Sequence, residues 1–186
     1  GVEVRQYHSG GGTLLTSTTI GGAAAAQEKL QSNIAWDADR LLQQFSERGR
    51  ADLAGVSRSL MDFGASLGLR TAFGRGPRYG AYYACLDDVK VFGINSWDNA
   101  HDGLKGVVVV SLSSILDALG GTMQRPELRQ LLSSFPAATA DERKSYISEP
   151  ANYEYIDLRL LLDGANMEYF QSSITQLVAK LKEATP

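Results

Sequence analysis

The chain has 186 residues, of which 44% are hydrophobic and 21% are charged, as in ordinary globular proteins. This composition excludes wholesale disorder, and a chain of this length can bury a core without disulfides or metals. The formal net charge is −3. Proteins that bind duplex DNA usually present a basic surface to its phosphates, so this charge disfavours such a function. No apolar run approaches the roughly 18 residues that span a bilayer, so no membrane partner is expected.

The counts of cysteine and histidine limit the metal and disulfide chemistry that the chain can support. There is one cysteine, Cys85, and there are two histidines. One cysteine cannot form a disulfide within the chain, and zinc sites with two or four cysteine ligands are excluded. These counts favour a reducing compartment, so we expect a cytoplasmic protein. The binding role that the sequence favours implies no bound cofactor.

The N-terminal third is expected to form a β-hairpin followed by two helices. Residues 2–7 and 13–20 are rich in strand formers and flank a glycine-rich turn. From Ala23 to about Arg48, apolar residues recur at steps of three and four, which predicts an amphipathic helix. After Gly49, a second apolar stripe at the same spacing predicts another helix. That stripe consists of Leu53, Val56, Leu60, Phe63 and Leu67.

The middle of the chain is expected to form strands. Three segments rich in strand formers are Arg70–Phe73, Ala81–Leu86 and Val89–Ile94. The dipeptide Asp87–Asp88 separates the last two and is consistent with a hairpin turn. A polar connection over Asn95–Lys105 then leads to a β-branched run, Gly106–Leu112, which predicts a buried strand.

Helices dominate the predicted C-terminal third. Apolar spacing and capping signals predict a short helix that ends at Gly120, a helix that starts near Pro126, and a helix from Thr139 to about Ser148. Partial alternation over Tyr153–Leu162 predicts a strand. The last helix is expected from about Asn166 to Ala184, where apolar residues again follow helical spacing.

Together these elements predict an α+β fold, with a mixed, largely antiparallel sheet that contains hairpins and packs against several amphipathic helices. We expect one domain over residues 1–186. If the chain has a seam, it lies near residues 67–69, between the N-terminal hairpin with its helix pair and the central sheet. The patterns do not indicate an oligomeric state.

The first candidate site is the arginine-, tyrosine- and glycine-rich segment between residues 70 and 83. Its arginines could bind phosphates or carboxylates, and its tyrosines could stack on bases or pack against a peptide. The glycine spacing matches neither a phosphate-binding P-loop nor a dinucleotide fingerprint. The alternative is a surface loop that joins two strands, because glycine and proline mark turns more often than sites. The predicted ligand-binding residues are Arg70, Arg75, Arg78, Tyr79 and Tyr82.

The second candidate site consists of Asp98, His101 and Asp102. Two carboxylates and an imidazole so close in sequence could hold a divalent metal or supply acid–base groups. The alternative is a turn in which the Asp side chains bond to their own backbone. Cys85 could pair with His101 as nucleophile and base, but its place in a predicted strand favours a small buried residue.

A catalytic site normally brings several compatible groups together, and here the second cluster does so only weakly. The sequence therefore favours a non-catalytic recognition or accessory domain that binds a partner protein or an anionic ligand through the 70–83 segment. Nucleic acid is a further candidate ligand. The alternative function is a hydrolase or metal-dependent nuclease that uses Asp98, His101 and Asp102. A third hypothesis is a structural, self-assembling domain.

Overall fold

A computed structural model describes residues 2–9, 12–19, 35–75, 79–99, 104–139, 147–148 and 152–184. The chain divides into two compact units. The first comprises Gly1–Ala35 with Arg75–Arg78, and the second comprises Trp36–Gly74 with Tyr79–Pro186.

The first unit contains an antiparallel hairpin. Strand β1 (Val2–Ser9) pairs with strand β2 (Gly12–Thr19), and Ser9 is the partner of Gly12 at the turn end. Ala35 and Arg75 form an isolated antiparallel bridge in the same unit. The structure thus confirms the N-terminal hairpin that the strand formers and the glycine-rich turn predict.

The second unit combines a six-stranded sheet with helices. Its strands are β3 (Arg70–Phe73), β4 (Ala81–Leu86), β5 (Val89–Asn99), β6 (Leu104–Ser111), β7 (Ile147–Ser148) and β8 (Tyr153–Asp157). Its α-helices are α1 (Ala38–Glu47), α2 (Ala51–Ser66), α3 (Leu112–Ala118), α4 (Arg125–Ser133) and α5 (Gly164–Ala184), with a 3-10 helix at Leu158–Leu162. The strand order is β3-β4-β5-β6-β8-β7, and all neighbours are antiparallel. The predicted α+β class is confirmed.

One face of this sheet, the inner face, supplies the core. Paired residues of antiparallel strands point to the same side, so a row of partners can be followed across the sheet. The inner row contains Phe73, Tyr82, Ile94, Val108 and Ile156, one from each of five adjacent strands. Its last four members join one core cluster with buried residues of all five α-helices, and Phe73 packs against that cluster. The helices therefore cover this face.

Helix α1 begins later than the sequence predicts. Asp37 has an extended backbone, and its carboxylate accepts a hydrogen bond from the backbone N–H of Arg40 at 2.8 Å. This is an N-cap, so the helix starts at Ala38. The prediction of a continuous helix from Ala23 is wrong over residues 35–37, and its residues 23–34 lie outside the described ranges.

A similar side-chain contact ends strand β8 early. The Asp157 carboxylate accepts a hydrogen bond from the backbone N–H of Arg159 at 2.8 Å, and the chain turns into the 3-10 helix. The prediction of a strand over Tyr153–Leu162 is therefore wrong after Asp157. Leu158, Leu160 and Leu161 are buried in the 3-10 helix, whereas Leu162 is 48% exposed.

Two further boundaries differ from the predictions. The segment predicted as a polar connection, Asn95–Lys105, is largely strand, because β5 continues to Asn99 and β6 begins at Leu104. The segment predicted as a helix from Thr139 to about Ser148 contains strand β7 at its end. Its residues 140–146 lie outside the described ranges.

The region that the sequence marks as a possible seam, residues 67–69, lies inside the second unit. Leu69 is 6% exposed and belongs to the common core cluster. Contacts among the described residues therefore do not separate the helix pair from the sheet there. A single domain over residues 1–186 stays a prediction.

Candidate functional site

The three arginines of the first candidate site have different surroundings. Arg70 is exposed on β3, and its guanidinium donates a hydrogen bond to the backbone oxygen of Asp87 at 3.0 Å. Arg75 is exposed and belongs to the first compact unit. Arg78 lies outside the described residues. A ligand-binding role for these arginines stays a prediction.

The two tyrosines of that site differ sharply in exposure. Tyr79 is 39% exposed, and the guanidinium carbon of Arg48 lies 5.4 Å from the centroid of its ring. Tyr82 is 1% exposed and packs against Phe73 and Phe92, at centroid distances of 5.8 and 6.2 Å. Tyr82 therefore serves the core, and a ligand at the surface does not reach it, contrary to the expectation for this residue.

The second candidate site falls mostly outside the described residues. Asp98 belongs to β5, where its backbone pairs with Lys105, and nothing is described of its side chain. His101 and Asp102 lie outside the described ranges, so a catalytic or metal-binding role for the three residues stays a prediction. Within the described part of the chain, no cluster of three His, Cys, Asp or Glu side chains could hold a metal ion.

The outer face of the sheet, opposite the core, carries a groove. The row next to the inner one contains Ala72, Tyr83, Gly93, Val109 and Tyr155, and it points to this outer face. Gly93 forms part of the floor, since an added Cβ would lie 2.7 Å from Cδ1 of Tyr83. The groove has a volume of about 380 Å³, and ligand sites measure roughly 300–1,000 Å³.

One wall of the groove consists of packed aromatic rings. Tyr153 and Tyr155 are two residues apart on β8, so both point outward, and their ring planes differ by only 5° at a centroid distance of 5.9 Å. The Trp97 ring meets Tyr155 edge-on, at 6.0 Å and 65°. Tyr153 is 41% exposed. Strands β5 and β8 thus place three rings side by side at the surface.

The opposite wall is formed by Tyr83 and Lys90. The Lys90 ammonium lies 4.3 Å from the centroid of the Tyr83 ring. A register shift between β4 and β5 makes this contact possible, because Ala84 pairs with Phe92 but Cys85 pairs with Lys90. The shift is a β-bulge at Val91, which allows Val91 and Phe92 to be buried together while Lys90 stays exposed.

Polar groups complete the lining. The hydroxyls of Ser111 and Ser114 are hydrogen-bonded at 3.0 Å, and the Asn95 side-chain oxygen accepts the backbone N–H of Trp97 at 3.0 Å. Burial raises the pKa of both Tyr83 and Tyr155, so their phenols are neutral at physiological pH. The groove therefore offers apolar ring surface together with uncharged hydrogen-bonding groups.

Cys85 lies on β4, two residues after Tyr83, and its backbone pairs with Lys90. Its side chain therefore points to the outer side of the sheet, but it is only 3% exposed. Burial raises the pKa of its thiol, so the reactive thiolate is disfavoured. The expectation that Cys85 is a small buried residue is confirmed.

The sequence contains one direct signal of this groove, which is the spacing of Tyr153 and Tyr155. The other aromatic residues, Tyr83 and Trp97, come from strands far away in the chain, so their proximity depends on the pairing register. Tyr83 belongs to the 70–83 segment that the sequence singles out. Its neighbour Tyr82, which the sequence predicts as a ligand-binding residue of that segment, is buried in the core.

No protein-family model, curated protein or solved structure matches this chain. Among the described residues, no helix combines the length and the apolar character needed to cross a membrane.

Proposed function

We propose that the protein is a non-catalytic recognition domain that binds a segment of a partner protein in the groove on the outer face of its sheet. The contrast between the two faces supports this proposal. The inner row lies in or against the core, whereas the outer face presents Tyr83, Trp97, Tyr153 and Tyr155 half-buried or exposed. Aromatic side chains that stay at the surface and line a groove are typical of recognition sites.

The charge of the groove favours a protein segment over a nucleic acid. Nucleic-acid affinity depends on several cations that neutralise phosphates. Of the described residues that line the groove, Lys90 is the only cation; it lies against Tyr83, and the lining also includes the carboxylate of Asp88. The aromatic wall carries no formal charge. An anionic ligand would thus find little attraction there.

The location proposed for this activity is the cytoplasm. The presence of a single cysteine supports it, since cytosolic proteins have no need of structural disulfides. The alternative of a hydrolase or nuclease at Asp98, His101 and Asp102 stays a hypothesis, tested by whether Asp98→Ala and His101→Ala alter any metal response.

A random peptide library panned on the purified protein tests the proposal. Selected peptides are labelled, and their affinities for the wild type and for two single variants are compared by fluorescence anisotropy. Tyr153→Ala removes a groove ring that is 41% exposed, and Tyr79→Ala removes a tyrosine that is 39% exposed and does not line the groove. We expect Tyr153→Ala to weaken binding about tenfold and Tyr79→Ala to leave it unchanged.

Equal effects of the two variants would show that the peptides bind elsewhere and would overturn the groove assignment. Labelled single- and double-stranded oligonucleotides, at low and moderate salt, provide the competing test. Binding that weakens with salt and is lost in an Arg75→Ala/Arg78→Ala double variant would move the function to nucleic acid.

A further inference from the structure

Building on the proposed function, we infer that the groove takes a proline-rich segment in the polyproline II conformation. Such a segment has no hydrogen bonds within its own backbone, so all of its carbonyl oxygens are free to accept from a partner. Domains that recognise it do so with aromatic-lined grooves, because its preformed shape lowers the entropy lost on binding. The groove on the outer face contains both an aromatic lining and side chains that can donate hydrogen bonds to carbonyl oxygens.

The first component is a row of neighbouring aromatic rings. The ring planes of Tyr153 and Tyr155 differ by 5° at a centroid distance of 5.9 Å, and the Trp97 ring meets Tyr155 edge-on at 6.0 Å. Tyr153 is 41% exposed, so the ring carbons of a proline can pack against this row from the surface.

The second component is a set of uncharged hydrogen-bond donors beside the rings. Tyr83, Tyr155, Trp97 and Ser114 all line the groove, and their side chains carry phenol, indole N–H and hydroxyl donors. A phenol and an indole N–H can each donate to a carbonyl while the ring packs against apolar atoms. The raised pKa of the two phenols keeps their protons in place.

Charge complementarity points the same way. The aromatic wall is neutral, and the formal charges among the described lining residues are those of Lys90 and Asp88, which nearly cancel. Proline side chains are uncharged, so a run of prolines loses no charge solvation when it enters the groove. A phosphodiester chain would lose the hydration of its phosphates on entering the groove. The described lining offers one cation in return, Lys90, which already lies over the Tyr83 ring.

The two tryptophans provide a direct test. In a ¹H–¹⁵N correlation spectrum, each indole N–H gives its own peak, and Trp97→Phe identifies that of Trp97. Trp36 is 6% exposed, whereas Trp97 lines the groove. We expect a decaproline peptide to shift the Trp97 peak progressively and saturably while the Trp36 peak stays in place. A Gly-Ser peptide of the same length is expected to leave both unchanged, because it has more conformational freedom to lose and no rings.

Affinities from the same titrations decide the assignment. We expect decaproline to bind Tyr153→Ala about tenfold more weakly than the wild type and to bind Tyr79→Ala equally well. Tyr153 is exposed, so its truncation leaves the core intact, and matching melting temperatures verify this. Equal affinities for Tyr153→Ala and the wild type would overturn the inference.

The remaining outcomes separate this inference from the proposed function. If decaproline shifts neither indole peak but library peptides without proline shift that of Trp97, the polyproline assignment falls and peptide recognition stands. If no peptide shifts it, both fall. A shift caused by oligothymidine but not by decaproline would replace the proline-rich segment with a single-stranded nucleic acid.

Discussion

Lys90 and Tyr83, on adjacent strands, form a cation–π contact in which the ammonium nitrogen lies 4.3 Å from the ring centroid. The contact closes one side of the groove and depends on the β-bulge that turns Lys90 outward. Lys90 thus has a structural role at the wall of the groove, in addition to any interaction with a ligand.

The energy of this contact can be measured by a double-mutant cycle. Lys90→Met keeps most of the aliphatic stem and removes the charge, and Tyr83→Leu removes the ring. We expect a coupling free energy of unfolding of about 0.5–1 kcal/mol, the usual size for a solvent-exposed cation–π pair. Urea denaturation of the four proteins measures it. Additive effects of the two substitutions would show that the contact contributes nothing.

The floor of the groove tolerates no side chain at Gly93. A Cβ there would lie 2.7 Å from Cδ1 of Tyr83 and 2.8 Å from the backbone oxygen of Tyr82, so the strand itself would have to move. We expect Gly93→Ala to lower the free energy of unfolding by about 1–3 kcal/mol.

Gly55 provides the matched control for this substitution. It lies exposed in helix α2, with nothing within 4 Å of an added Cβ. Gly55→Ala is expected to stabilise the protein by about 0.5–1 kcal/mol, because alanine loses less backbone entropy in a helix. Urea denaturation measures the free energy of unfolding of both variants. A change of the same sign in the two would contradict the description of the groove floor.

The ion pair between Asp157 and Arg159 is expected to stabilise the end of β8. The Asp157 side chain is 0% exposed, and its two oxygens accept hydrogen bonds from Nε and Nη2 of Arg159 at 2.9 and 2.8 Å. Arg159→Ala leaves a buried carboxylate without this cation. We expect a loss of roughly 2–4 kcal/mol, since Arg159 itself is partly exposed.

An exposed pair serves as the comparison for Arg159. Arg58 and Asp39 lie 3.7 Å apart, with side chains 59% and 96% exposed. Arg58→Ala is expected to change the free energy of unfolding by less than about 0.5 kcal/mol, because solvent screens such pairs. Thermal or urea unfolding that found both substitutions equally mild would rule out a strong contribution from Asp157.

Stability is expected to fall at alkaline pH. Burial raises the pKa of Cys85 above its ordinary value of 9.0 and the pKa of Tyr82, Tyr83 and Tyr155 above their ordinary value of 10.0. Between the unfolded and folded pKa values, the unfolded chain holds fewer protons, so the free energy of unfolding decreases as pH rises. The loss begins near pH 9 with the thiol and grows above pH 10 with the phenols.

Denaturation at several pH values between 7 and 11 measures this decline, and Cys85→Ala should flatten its first part. A thiol reagent added at pH 8 should modify Cys85 only as fast as the protein unfolds. Rapid modification of the folded protein would contradict the burial of this side chain.

Local periodicity was enough to predict several helices. The stripe of α2, with Leu53, Val56 and Leu60, repeats every three or four residues, and the structure buries all three. The strand predicted over Tyr153–Leu162 fails for an equally local reason. Its apolar alternation suits a strand, but the Asp157 side chain bonds to the backbone of Arg159 and starts a 3-10 turn, a competition that alternation alone does not reveal.

The groove was much harder to predict than the helices. Tyr82 and Tyr83 are the same residue type at consecutive positions, and only their pairing, with Ile94 and Gly93, decides which one faces the core. The sequence predicts Tyr82 as a ligand-binding residue, whereas the structure buries Tyr82 and places Tyr83 in the groove lining. The partners Trp97, Tyr153 and Tyr155 required the order of the strands, which the residue patterns did not provide.

The groove takes its two sides from strands that are made at very different times. Tyr83 and Lys90 emerge from the ribosome well before Tyr153 and Tyr155, whose strand β8 pairs with β6 across a long intervening stretch of chain. A nascent chain that ends before β8 therefore has only one side of the groove. Under the proposed function, a partner that needs both sides can bind only after β8 has paired with β6.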